Sequence, residues 1–310
     1  SRYSEGNKWG YFPAAALAWR ISDEAFLKDI SWLSDLKLRF GWGQTGNQET
    51  SNTAVHTLYV TDYGTGDPTW TSLNGTSYDL TGKGGTSLPS GYKKTQQGNP
   101  DLKWETTTQT NIGLDFGFFN QKLYGTAEYY IKKTKDILVQ PPYLGIIGEG
   151  GYCWYNGASM ENKGFEVSLG YRDQTPFGLS YDISGNISGY RNKVTELPAD
   201  VENSYGGNGK GDNILGRPIN SFYGYIADGL FRTEEDIAKH ATQNGGEGLG
   251  RIRYRDLNED GKIDEDDRTW IGSPHPDFMY GLNIELSYKN FDLSAFFYGV
   301  NGIDVSLFTA

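Results

Sequence analysis

Residues 256–267, DLNEDGKIDEDD, place oxygen-bearing side chains at the spacing of a calcium-binding loop. A hard cation such as Ca²⁺ takes about six to eight oxygen ligands, and one tight loop can supply most of them. Gly261 stands at the sixth position, where such loops turn sharply. The predicted ligands, with Lys262 giving only its backbone carbonyl, are Asp256, Asn258, Asp260, Lys262, Asp264 and Asp267.

The last position of this loop departs from the EF-hand template. Asp267 stands where an EF-hand has Glu, and its shorter side chain is typical of dockerin-type loops. Calcium fits better than magnesium because Mg²⁺ demands near-octahedral geometry and keeps its waters. We expect a structural calcium ion without a catalytic role, since no nucleophile lies beside a base here. The alternative is a solvated acidic turn.

The composition of the whole chain favours strands and turns. The chain has 310 residues, a net charge of −11, 42 glycines and 22 tyrosines. Glycine serves tight turns and aromatic residues fit pleated strands, while the negative charge argues against a nucleic-acid partner. The single cysteine, Cys153, excludes an internal disulfide, and we expect it to be partly buried and inert.

Apolar and polar residues alternate with a period of two in about eight segments. In GFEVSLGY, Phe165 and Leu169 share one face. Glu166 and Ser168 share the other face. This alternation predicts strands with one apolar and one polar side. The predicted strands are 9–21, 35–42, 111–118, 123–132, 164–171, 181–188, 281–288 and 291–297.

Short and long links between these strands take turns along the chain. The short links are 22–32, 119–122, 172–178 and 288–291. The long links are 46–105, 139–160 and 196–276. Strictly alternating lengths predict an up-and-down antiparallel sheet with all long links at one end.

Two all-β architectures explain such amphipathic strands. In a soluble β-sandwich the apolar faces of two sheets would pack together, with strands of about 5–6 residues. A transmembrane β-barrel needs about 9–11 residues per crossing, an apolar outer face and a polar lumen. We expect the barrel, because several segments are that long and carry carboxylates on the polar side. Aromatic residues suited to the membrane interfaces are Trp9, Tyr11, Trp19 and Trp42.

Seven segments, in order from residue 7 to residue 300, resemble the C-terminal part of SusC-like (RagA-like) TonB-dependent transporters of the Bacteroidota outer membrane. They are NKWGYFPAAALAWRISDEAF, LSDLKLRFGWGQTGNQ, NPDLKWETTTQTNIGLDFGF, MENKGFEVSLGY, FYGYIADGLF, GRIRYRDLNEDGKIDEDDR and IGSPHPDFMYGLNIELSYKNFDLSAFFYG.

The resemblance implies a multi-pass outer-membrane barrel of about 22 strands around an N-terminal plug. It implies import of glycan oligosaccharides, or of peptides, under a SusD-like surface lipoprotein, with TonB opening the plug. Residues 1–310 would be the C-terminal barrel portion, with the calcium-loop-like insert 256–267 inside the long link 196–276. The plug and early strands would lie in another segment, because an open sheet in lipid leaves backbone groups unpaired. We expect no catalytic site and no organic cofactor.

Aromatic residues in the long links are candidates for substrate binding. Aromatic faces stack on sugar rings, and nearby Asn and Asp side chains bond to hydroxyl groups. Alternatively, these rings pack the links together or contact the lipoprotein. The candidates are Tyr63, Trp70, Tyr78, Tyr152, Trp154 and Tyr155. A soluble calcium-stabilised β-sandwich that binds carbohydrate, or a glycan-degrading enzyme, is the alternative to an importer.

Overall fold

The computed structural model describes residues 2–60, 93–140, 152–198, 214–243 and 245–307. Its strands are β1 (Ala14–Arg20), β2 (Leu33–Asn47), β3 (Leu58–Val60), β4 (Lys93–Gln97), β5 (Glu105–Phe118), β6 (Leu123–Val139), β7 (Tyr152–Cys153), β8 (Tyr155–Gln174), β9 (Leu179–Glu196), β10 (Phe222–Gly224), β11 (Ala227–Leu230), β12 (Ile252–Tyr254), β13 (Thr269–Gly272), β14 (Phe278–Tyr288) and β15 (Phe291–Asn301). The helices are α1 (Glu234–Lys239) and two 3₁₀ turns, Ile21–Asp23 and Glu265–Asp267.

The principal element is an eight-stranded sheet in the order β1-β2-β5-β6-β8-β9-β14-β15. Each strand pairs with the next long strand of the sequence, and the pairs β1–β2, β8–β9, β9–β14 and β14–β15 are antiparallel. The eight predicted strands and their up-and-down order are therefore confirmed. In the described part of the chain, β1 and β15 each have a neighbour in this sheet on one side only.

The observed strands differ from the prediction mainly in length. The first begins at Ala14 rather than at residue 9, because Pro13 has no N–H to donate to a ladder. In contrast, β6 continues to Val139 and β8 begins at Tyr155, beyond the alternating segments. Residues 133–136 of β6 and most of 156–163 of β8 are polar on both faces, and 137–139 are apolar on both faces. The alternation that reveals a strand is therefore lost while the backbone pairing continues.

The sheet has an apolar face, which stays exposed in the described chain, and a polar face. Leu169 is 50% exposed, Ile112 49% and Ile183 42%, whereas a β-sandwich would bury all three against a second sheet. The sandwich alternative is therefore wrong. The apolar face contains Leu17, Phe40, Ile112, Phe165, Val167, Leu169, Ile183, Ile187, Leu282, Leu293 and Phe297. The polar face contains Arg39, Asn111, Asp115, Glu128, Glu166, Ser168, Asp182, Asn283, Glu285 and Ser294.

The chain divides into two compact units. The first comprises Ser1–Phe12, Gly46–Thr106 and Lys135–Ala158, and the second comprises the remaining residues. A small core in the first unit consists of Tyr3, Ala54 and Leu102, with partly buried hydrophobic residues packed on it. Cys153 is buried there, as expected.

The second unit also has buried hydrophobic residues in its long link 197–277. The pairs β10–β13 and β11–β12 and the helix α1 form this region, in which Ile214 and Phe231 are almost fully buried. Across the described residues, no helix combines the length and the hydrophobicity needed to cross a bilayer.

Candidate functional site

The polar face of the sheet carries a half-buried network of charged side chains around Arg39. Its Nη2 lies 2.9 Å from Asp115 Oδ1, and its Nη1 donates to Glu128 Oε2 at 3.1 Å. Lys37 Nζ lies 3.7 Å from the other carboxylate oxygen of Asp115. Asn111 donates to Glu128 Oε1 at 3.1 Å. The network thus joins the polar sides of β2, β5 and β6.

Glycine at position 113 makes room for the Arg39 side chain. A Cβ at Gly113 would lie 2.8 Å from Arg39 Nη2, closer than real contacts allow. We predicted the carboxylates of the polar face but missed that Arg39 neutralises two of them. The signal was present, because Arg39 stands between the apolar Leu38 and Phe40 and must therefore point to the polar side.

A second polar cluster lies nearer the short-link end of the same face. Tyr124 donates its hydroxyl proton to Asp182 at 2.8 Å, and the Arg172 guanidinium carbon lies 5.1 Å from the centre of the Tyr124 ring. Asp182 and Glu285 stand directly opposite each other on β9 and β14. Like charges in that position repel each other unless water or a cationic group separates them. This face is therefore suited to contact with water.

The acidic loop 256–267 connects β12 to β13, and its first half folds around Asp256. The two carboxylate oxygens of Asp256 accept hydrogen bonds from the backbone N–H groups of Glu259, at 2.7 Å, and Gly261, at 2.8 Å. Gly261 has a φ of +84°, a left-handed conformation that glycine adopts without a steric penalty. The sharp turn predicted at this position is therefore present.

Asp267 closes the loop from its other end. The side chain is fully buried. It accepts hydrogen bonds from the backbone N–H groups of Leu257, at 2.7 Å, and Asp264, at 2.9 Å. One carboxylate thus holds the start of the loop against its end.

The six predicted calcium ligands have the oxygen chemistry that a hard cation prefers. Among the residues that the structure describes, no three His, Cys, Asp or Glu side chains are grouped so that they could hold a metal ion. The carboxylates of Asp256, Asp260 and Asp267 accept backbone N–H groups instead. The donor types fit calcium, and calcium binding by this loop stays a prediction.

The predicted ligand-binding aromatic residues are only partly described. Tyr63, Trp70, Tyr78 and the side chain of Tyr152 lie outside the described residues. Trp154 packs against the core of the first unit, and its carbonyl accepts a hydrogen bond from Asn99 at 2.8 Å. Tyr155 is 43% exposed. The contacts of Trp154 are those of a packing residue, and substrate binding by these residues stays a prediction.

A family model described as "TonB dependent receptor-like, beta-barrel" matches residues 1–307. The chain belongs to this family. One relative is TonB-dependent receptor SusC of Bacteroides thetaiotaomicron, 33% identical over 311 residues, which cover 95% of this chain and 28% of the relative. Another is TonB-dependent receptor P3 of Formosa agariphila, 32% identical over 320 residues, which cover 100% of this chain and 30% of the relative. The chain thus spans under a third of the length of these relatives.

Two solved structures share the fold over nearly the whole chain. The RagAB peptide importer in its "open-open" state is 25% identical, with a TM-score of 0.74, over 98% of this chain and 30% of that chain. The RagAB peptide transporter is 25% identical, with a TM-score of 0.72, over 97% of this chain and 30% of that chain. The resemblance to SusC-like and RagA-like barrels is confirmed, and these relatives carry the names of receptors and transporters rather than of enzymes.

Proposed function

We propose that the chain forms part of a multi-pass outer-membrane barrel that imports glycan oligosaccharides or peptides in a TonB-dependent manner. The apolar face of its eight-stranded sheet contacts lipid, and the polar face lines the lumen. The observation that carries this proposal is the exposed row of apolar side chains behind a face of charged ones. Exposing such a row is unfavourable in water and favourable in a bilayer.

The long links face the cell exterior and the short links face the periplasm, the arrangement typical of bacterial outer-membrane barrels. Exposed aromatic residues near the short-link end support a membrane–water boundary there. These residues are Trp19, Trp32, Phe177, Tyr288 and Phe291.

The proposed partners follow from the resemblance to SusC-like transporters and from β1 and β15, each of which has one neighbour in the sheet of the described chain. The remaining plug and barrel segment of the same transporter pairs with β1 and β15. A SusD-like lipoprotein covers the long links, and TonB acts through the plug. Import of peptides is supported by the likeness to RagAB, whose solved structures are named as a peptide importer. Import of glycans is what the resemblance of the sequence segments to SusC-like transporters implies.

Deletion of the gene in its host, followed by uptake measurements with defined oligosaccharides and peptides, tests this proposal. Uptake of one class should disappear, return with the full-length gene, and stop when a protonophore removes the proton-motive force. A strain that takes up neither class, with or without the gene, would contradict the proposed function. A soluble full-length protein in detergent-free buffer would contradict the membrane location.

A further inference from the structure

We propose that an aromatic cleft in the first unit binds a sugar ring of the imported oligosaccharide, an inference that rests on the proposed import function. The cleft has a volume of about 540 Å³, within the range of about 300–1,000 Å³ that is usual for small-molecule sites. It lies where β2 ends and β5 begins, at the long-link end of the sheet. Its lining residues are Lys8, Trp9, Gly10, Phe12, Gly46, Gln48 and Trp104.

Two rings form a fixed wall of this cleft. Phe12 and Trp104 meet edge to face, with ring centroids 5.5 Å apart and an interplanar angle of 61°. A Cβ at Gly10 or at Gly46 would overlap the tip of the Phe12 ring. The Phe12 ring can therefore occupy this position only because both residues lack a Cβ.

Trp9 provides an open aromatic surface at the rim of the cleft. Within the described chain the side chain is 85% exposed, although an indole ring left in water is unfavourable. A sugar ring has an apolar C–H face that covers such a ring while its hydroxyl groups stay available for hydrogen bonds. Trp9 is thus positioned to stack on a bound sugar.

Two buried polar atoms of the lining residues lack hydrogen-bond partners within the described chain. They are the indole Nε1 of Trp104 and the side-chain Oε1 of Gln48. Nε1 carries a proton to donate, and Oε1 is an acceptor. A hydroxyl group both donates and accepts, so a sugar offers the kind of partner that each of these atoms lacks.

The charge of the lining disfavours cationic ligands. Lys8 is the charged member of the lining set, and that set contains no carboxylate. The amino terminus or a basic side chain of a peptide would find no counter-charge in it. The ammonium of Lys8 can instead bind a sugar hydroxyl or the carboxylate of a uronic acid. Together with the open face of Trp9, which suits a sugar ring, this charge assigns neutral and acidic sugars to the cleft.

An array of immobilised neutral oligosaccharides, uronic-acid-containing oligosaccharides and short peptides, probed with the full-length protein in detergent, tests the assignment. Trp9→Ala should weaken sugar binding about tenfold, through loss of the stacking surface. Trp104→Phe removes the N–H but keeps an aromatic ring, and should weaken binding by a smaller factor. Tyr11→Ala is the matched control, because Tyr11 is 90% exposed and does not line the cleft.

Each outcome supports or overturns the assignment. Binding of peptides without sugars by the wild type would overturn the ligand class. Equal sugar binding by the wild type and Trp9→Ala would overturn the cleft. Equal losses in Trp9→Ala and Tyr11→Ala would point to a membrane-interface role for both rings and also overturn it. In each case uptake by cells carrying the wild-type gene shows separately whether import itself stands.

Discussion

The eight-stranded sheet and the long link 197–277 are held together in different ways. In the sheet, the ladder between β9 and β14 runs without a shift from Met279–Ser188 to Tyr288–Leu179. In the link the strands have only three or four residues, and β10–β13 and β11–β12 both contain register shifts. There, side chains that accept backbone hydrogen bonds, such as Asp267 and Asp236, replace the long ladders.

This difference predicts two kinds of sensitivity. The sheet should tolerate many side chains, provided that each stays on the face that matches its polarity. The link should tolerate changes of polarity but depend on the identity of a few buried or capping residues. Substitutions in the two regions separate these requirements.

The largest effect is expected for Leu282→Arg on the apolar face. A charge that faces lipid near the middle of a barrel strand costs about 2–4 kcal/mol, so less full-length protein should assemble in the outer membrane. The control is Asn283→Arg, one residue further on the polar face, where Asn283 already donates to Glu285 at 3.0 Å. Heat-dependent gel mobility of membrane fractions measures the assembled barrel. Equal yields for the two variants would contradict the assignment of the faces.

Asp267→Ala should open the acidic loop while the sheet stays folded. The change leaves the backbone donors of Leu257 and Asp264 without a partner, at about 1–3 kcal/mol each. Limited proteolysis of the full-length protein should then cut within 256–267. Glu265→Ala, whose side chain is 83% exposed, should leave the digestion pattern unchanged. An unaltered digestion pattern for Asp267→Ala would show that contacts other than those of Asp267 keep the loop folded.

Arg39→Ala should lower the melting temperature of the purified full-length barrel without stopping assembly. Asp115 and Glu128 would lose their shared partner, and because all three side chains are partly exposed we expect about 1–2 kcal/mol. Arg20→Ala removes a more exposed charge, 59% accessible, and should have little effect. Equal shifts in the two variants would show that the network is not stabilising.

Calcium should protect the link from protease, and Asp260→Ala should reduce that protection several-fold. The physical reason is that a cation cancels the repulsion among the carboxylates of 256–267. Digestion of the wild type with calcium and with a chelator is the reference. Identical digestion in both conditions would mean that the loop binds no calcium.

The smallest expected effect is a pH dependence of α1. Hydrogen bonds from the Arg232 backbone, and then from Thr233, hold the pKa of Asp236 below its usual value. The capping contribution is therefore present above the unfolded pKa, about 3.9, and is lost as the pH falls through the lower folded value. The protection of the α1 amides, measured as the exchange rate relative to the intrinsic rate at the same pH, should fall below about pH 4. In Asp236→Asn this pH step should be absent.

The sheet could be predicted from the sequence because the alternation that marks each strand is visible within about eight consecutive residues. Alternation of the kind seen in GFEVSLGY needs only neighbouring residues, and all eight strands were found that way. The strand ends could not be predicted, because past the apolar band both faces of β6 and β8 carry polar residues. There the extended backbone is set by pairing with a neighbour rather than by the local pattern.

The link and the sites depend on contacts between distant residues, which a single sequence does not reveal. His275 is an example: its Nδ1 lies 3.0 Å from the Tyr190 hydroxyl and its Nε2 lies 2.9 Å from the Ile219 carbonyl oxygen. Trp104 and Phe12 are 92 positions apart and still share one cleft. The acidic loop is the exception, since its turn at Gly261 follows from local spacing.

The unequal lengths of the links constrain how the barrel can be built. If the long links face outward, each must travel from the periplasm to the far side of the membrane during assembly. The segment 256–267 carries seven carboxylates. Moving unpaired charges through the acyl chains of the bilayer has a prohibitively high free energy. The passage of this segment therefore requires a hydrated route, such as the polar face of the sheet offers, rather than a path through lipid.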